Sequence, residues 1–137
     1  MQVAIHNLVE GERELGSYQV TVVRKQDGWL KTSPPLIVLA TNYRLIVWPD
    51  TLTPYPPASI PCTFIVEALE GYVDDQRALM LHLKTGHLMY LLVDQGRDRR
   101  LMRDIQLMVR PPRSSRLYRP ALARQEILRL VEFLESQ

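Results

Sequence analysis

The spacing of apolar residues changes once along this chain, and that change constrains the fold more than any other feature. Up to Val93 the apolar positions recur every second residue or fill short unbroken runs; beyond Asp94 they recur at three and four. Residues 17–25 alternate, with Tyr18, Val20 and Val22 on one side and Gln19, Thr21 and Val23 on the other, as a half-buried strand does. Asp27-Gly28 marks a turn, and Pro34-Pro35 ends the connection. Residues 36–41 and 43–48 form a hairpin across Asn42, a residue type that tolerates the left-handed turn conformation. A proline-rich loop, 49–57, precedes one or two short strands around Pro61. Residues 77–84 and 87–93 pair across Thr85-Gly86. With those two residues as the loop, Leu79, Leu81 and Leu83 share a face with Leu88, Tyr90 and Leu92, and Met80, Met89, Leu91 and Val93 point away from the core.

Leu101, Ile105 and Met108 then specify a helix over 97–109, stopped by Pro111-Pro112. A second helix opens at Pro120 and carries the stripe Ala123, Ile127, Leu130, Val131 and Leu134. Strands first and helices last specify a mainly β fold with C-terminal helices. Residues 17–93 are expected to form two orthogonal sheets with Leu39, Leu45 or Val47, Leu81 and Leu92 in one core. The length of 137 residues is that of one domain. With Cys62 as its single cysteine the chain forms no internal disulfide, so packing must hold the fold. The first residues lack the basic and apolar stretches of a secretory signal, and the longest apolar run, 88–93, is far short of the roughly 20 residues a membrane helix needs. The expected location is cytoplasmic, with contact to a membrane surface left open.

Three local patterns carry a resemblance. Leu8-Val9-Glu10-Gly11-Glu12 resembles the L-x-x-G-E lead-in to the first strand of bacterial PH-like domains. Leu39-Ala40-Thr41-Asn42-Tyr43-Arg44-Leu45-Ile46 resembles the L-x-T-x-x-R-L-I hairpin of GRAM, GLUE and bacterial PH-like domains, and Ser59-Ile60-Pro61-Cys62 followed by Ile65 resembles their I-P-x-x-x-I step. The resemblance covers 8–110. It implies a PH-like bent β-barrel of about seven antiparallel strands capped by a helix, used as a docking module for phosphoinositides, peptides or other proteins and seldom as an enzyme. The expected organisation is a barrel with capping helix over 1–110, a basic linker over 111–119 and an additional amphipathic helix over 120–137, packed on the barrel or on a partner.

No catalytic motif is present: there is no G-x-S-x-G turn, P-loop or G-x-G-x-x-G, and Cys62 reads as a small buried hydrophobe. His82 and His87 lie diagonally across the second hairpin but lack the further ligands zinc requires, and His6 is remote in sequence. Neither a metal nor a cofactor is expected. The leading expectation is a protein partner or self-association through apolar surface at Ile37, Trp48, Met80, Met89, Leu91, Ile127, Leu130 and Leu134. The alternative is an anionic lipid headgroup at Arg24, Lys25 and Lys31 with Trp29 between them, although the usual K-x-n-R-x-R spacing is missing. A third reading is nucleic acid on the basic patch Arg97, Arg100, Arg103, Arg110, Arg113, Arg116 and Arg119, where only Tyr118 offers an aromatic for stacking.

Overall fold

A computed structural model describes residues 8–25, 27–52 and 55–136. Eight antiparallel strands form one curled sheet: β1 Glu14–Lys25, β2 Trp29–Lys31, β3 Leu36–Thr41, β4 Arg44–Pro49, β5 Ala58–Pro61, β6 Ile65–Val73, β7 Gln76–Leu83 and β8 Leu88–Val93. Seven of them run in the order β5-β4-β3-β1-β8-β7-β6, and β2 pairs with β1. Helix α1 spans Asp98–Gln106 and α2 spans Pro120–Glu135. The sheet is continuous rather than split in two, because the twelve-residue β1 serves both halves: Glu14 to Val20 pair with β3, and Val20 to Val23 pair with β8. The result is a half-barrel, mainly β, with both helices at the C-terminal end of the sequence.

The inside of the half-barrel is lined by Tyr18, Val20 and Val22 of β1, Val38 and Ala40 of β3, Leu45 and Val47 of β4, and Leu79, Leu81 and Leu83 of β7. Met89 and Leu91, expected on the outside, also point inward, and Leu88, Tyr90 and Leu92 point out. The cause is one residue of loop. Leu79 pairs with Leu91 and Leu81 with Met89, and Leu83 N–H donates to His87 C=O, so the loop is Lys84-Thr85-Gly86 rather than Thr85-Gly86. Gly86 takes φ +95°, the left-handed residue that closes a three-residue hairpin loop. A slip of one residue reverses every side chain of β8.

The β3–β4 hairpin turns without a left-handed Asn42; positive φ among the non-glycine described residues falls at Asp27, Asp74 and Gln95. Thr41 closes this turn instead, its hydroxyl oxygen accepting from the N–H groups of Tyr43 and Arg44, each at 3.1 Å. Leu39, expected in the main core, packs on the outer face with Ile46 and Trp48 under Leu8. It shares that face with Thr41 and Arg44, whose polar groups are committed there.

Two polar contacts fasten α1 to the sheet. The Tyr18 hydroxyl donates to the buried Asp104 carboxylate, and Arg77 Nη2 donates to Asp98 Oδ1 at 2.9 Å. Burial, followed by the hydrogen bond to Asp104, pushes the Tyr18 phenol far above its ordinary range, so it donates at any physiological pH. Gly16 gives the pair room: a Cβ there would lie 2.6 Å from Asp104 Oδ2 and 2.7 Å from the Tyr18 oxygen. Helix α2 inserts Ala123, Ile127, Leu130 and Leu134 into the same core as the strands. No helix among the described residues is long and apolar enough to cross a membrane.

Candidate functional site

The two ends of the sheet differ, and the difference defines what the surface can do. An end strand presents unpaired N–H and C=O groups that invite another strand. At β5 the chain has covered them. Ser59 N–H, directed away from β4, donates to Glu126 Oε1 at 2.8 Å, and Arg129 Nη2 donates to Pro57 C=O at 3.2 Å. Pro61 has no N–H to offer. Side chains of α2 thus occupy the positions a neighbouring strand would take. Glu126→Ala removes the partner of Ser59 N–H and is expected to cost about 1–3 kcal/mol in urea unfolding, with a rise in concentration-dependent association seen by light scattering.

At the other end, β6 pairs with β7 alone among the described residues. It exposes Val66 (59%), Leu69 (46%) and Tyr72 (67%), a concentration of large apolar side chains not seen on any other strand. Glu67 and Glu70 are exposed beside them, and Asp74 and Asp75 follow in the turn. Glu70 meets Arg99 of α1 at 3.0 Å in an exposed pair of small energetic weight. Leu69, Met80 and Leu88, with Glu67 and His82, line a shallow groove of about 370 Å³ on the outer face. Leu69, Met80 and Tyr90 lie in one row across β6, β7 and β8, and Tyr90 continues it to Trp29, whose ring centroid is 4.8 Å away.

Of the apolar residues expected to form an interface, Met80 alone lies on this open surface. Met89, Leu91, Ile127, Leu130 and Leu134 are interior, the first two through the hairpin register and the last three because α2 fills the barrel's own core. Trp48 is buried, and Ile37 is partly buried beside it.

The cations around β2 are divided between faces. Lys25 lies over the Trp29 ring at 5.0 Å, and Trp29 packs on the outer sheet against Tyr90. Lys31 lines a depression with Asp74 and Asp75, whose charge opposes a phosphate. Arg24 lines a separate hollow with Leu134 and Glu135 of α2.

The arginines of 97–119 are likewise spread out. Arg97 lies over the Tyr18 ring at 4.7 Å and donates to Ser17 C=O. Arg100 and Arg103 are exposed on α1, and Arg110 acts on the half-buried Cys62. Arg113 and Arg119 are exposed, while Arg116 lines a cleft beside α2. Burial raises the Cys62 thiol above its ordinary range despite Arg110, the reverse of an activated nucleophile. His82 and His87 fall on opposite faces, His82 in the β6 groove and His87 in a hollow it shares with Val131, Leu134 and Glu135 of α2; His6 lies outside the described residues. Among the described residues no group of three or more metal-ligating side chains is assembled.

A buried polar cluster joins the lead-in segment to β4 and β5, and no local sequence pattern marks it. The Glu12 carboxylate receives Arg44 Nε at 2.8 Å, Arg44 Nη2 at 3.0 Å, the Thr41 hydroxyl at 2.6 Å and Val9 N–H at 2.9 Å. Arg44 Nη1 donates to the Ser59 hydroxyl at 2.7 Å. The available signal was a charged residue, Arg44, inside an otherwise apolar strand.

No family model and no curated protein matches this sequence. Among solved structures, the C-terminal domain of an unknown protein from Leishmania infantum is similar over 70% of this chain and 86% of that one, at 13% identity and a TM-score of 0.47.

Proposed function

We propose that the chain is a PH-like, non-enzymatic interaction module that captures an extended segment of a protein partner along β6. The observation that carries this reading is the asymmetry of the sheet ends: β5 is capped by α2, and β6 is left open with Val66, Leu69 and Tyr72 exposed. A strand added to β6 would gain main-chain hydrogen bonds, and its side chains on one face would reach the groove between Leu69, Met80 and Leu88. Glu67, Asp74 and Asp75 favour a segment with basic residues at its flanks. The curled sheet and the three sequence patterns support the PH-like class. The divided cations around β2 make the lipid-headgroup reading the weaker one.

The test is a selection of binders from a displayed library of unstructured peptides, followed by hydrogen exchange on the bound domain. Selected peptides should be basic and apolar and should slow exchange along β6. Leu69→Lys should lower their affinity about tenfold or more, the loss of one well-buried apolar anchor. Peptides that leave β6 amides unprotected, or a domain that instead binds phosphatidylserine vesicles through Arg24, Lys25 and Lys31, would overturn it.

A further inference from the structure

The cleft on the outer face of β4 and β5 is separate from the β6 edge and has a different chemistry. Its volume is about 330 Å³, in the range of small-ligand pockets. Ile46, Pro56 and Leu122 supply apolar walls, and Arg44 and Ser59 belong to its floor. Two further arginines line it, Arg116 and Arg129, and neither has a carboxylate partner among the described residues. Arg129 Nε is buried and without a hydrogen-bond partner, although Nη2 of the same side chain is held by Pro57 C=O. Glu126, the cleft's own carboxylate, is turned to Ser59 N–H. Arg44 is already neutralised by Glu12, so the two unpaired arginines against Glu126 leave the cleft with one excess positive charge.

We infer that this cleft binds a monocarboxylate carried on an apolar body, its carboxylate held by Arg116 and Arg129 and its apolar part against Ile46, Pro56 and Leu122. A guanidinium with a buried, unpaired N–H is a costly thing to leave without an acceptor, and a carboxylate supplies one in charge-assisted form. One excess charge suits a singly charged group better than a phosphate dianion. That chemistry is shared by a free small acid and by the last residue of a peptide with an apolar side chain.

The test titrates the whole chain with hexanoate, hexanamide, N-acetyl-leucine, N-acetyl-leucinamide and inorganic phosphate, following backbone and arginine side-chain NMR signals. Each acid that binds should shift Arg116 and Arg129 signals, while its amide binds about tenfold more weakly or not at all. Arg116→Gln, at an exposed position where folding is not at stake, should produce a similar loss, and Arg103→Gln on α1 should produce none. Binding of hexanoate identifies a small acid as sufficient; binding of N-acetyl-leucine alone identifies a peptide terminus as the source. Equal binding of acid and amide, tighter binding of phosphate than of either acid, or an Arg116→Gln variant that binds normally would overturn the inference.

Discussion

Removing residues 120–137 is expected to leave a chain that no longer folds as a stable monomer. Ala123, Ile127, Leu130 and Leu134 are between 0% and 4% exposed and belong to one core with side chains of β1, β3, β4, β5, β7 and β8. Burying three large aliphatic side chains and an alanine contributes roughly 5–10 kcal/mol before ordering costs, about the whole stability of a domain this size. Their loss would also uncover the β5 edge, since Glu126 and Arg129 leave with the helix. Light scattering should therefore report aggregates, and thermal unfolding should lose its cooperative transition. A milder variant isolates packing from edge exposure. Ile127→Ala, fully buried, should lower stability by about 2–5 kcal/mol, while Leu128→Ala on the exposed side should stay within about 0.5 kcal/mol. A truncated chain as soluble and stable as the full one would show that α2 is dispensable to the barrel.

The stripe on α2 was legible in the sequence, because a period near 3.6 survives any tertiary context. Its destination was not. Nothing local distinguishes a helix that covers the outer sheet from one that fills the barrel, and the choice follows from how far the sheet curls. On the outer face Leu39, Ile46 and Trp48 form a smaller cluster of their own, with Leu8 and Ile37 against it. The β7–β8 hairpin shows a different limit. Both strands and their turn residues were readable, but the faces of Met89 and Leu91 depended on whether Lys84 belongs to strand or loop. Alternation cannot decide that in β8, since all of Leu88, Met89, Tyr90, Leu91, Leu92 and Val93 are apolar. The open β6 edge was invisible for a third reason: strand order is a property of long-range pairing, and no residue of 65–73 states which neighbour it lacks. The arginines of 97–119 were readable as a charge run, yet proximity in sequence did not make a patch in space. The unpaired Arg116 and Arg129 come together from segments the sequence separates by α2's first turns.

The three patterns that carry the PH-like resemblance are physically joined, and the join has a measurable consequence for stability. Glu12 comes from the first pattern, Thr41 and Arg44 from the second, and Ser59 from the start of the third; they form one hydrogen-bonded cluster. The Arg44 and Glu12 side chains are only 4% and 0% exposed. Burial by itself would raise the Glu12 carboxyl. The hydrogen bonds from Arg44, Thr41 and Val9 N–H outweigh it and hold the carboxyl below its ordinary range. Glu12→Gln should therefore cost about 3–5 kcal/mol near neutrality, because it leaves the Arg44 guanidinium buried without its countercharge. A lowered folded-state pKa contributes stability that is full above the unfolded value and is lost as pH falls through the folded one. The gap between wild type and Glu12→Gln should accordingly be widest at neutral pH and should close below the ordinary carboxylate range. Adding Arg44→Met to Glu12→Gln should cost less than the two single changes summed, since the second substitution removes the orphaned charge that the first one created. Urea unfolding of the four proteins at neutral and acid pH measures both effects. Strict additivity, or a gap that does not move with pH, would show that the cluster packs as neutral volume and that its charges contribute nothing to holding the lead-in segment on the β3–β4 hairpin.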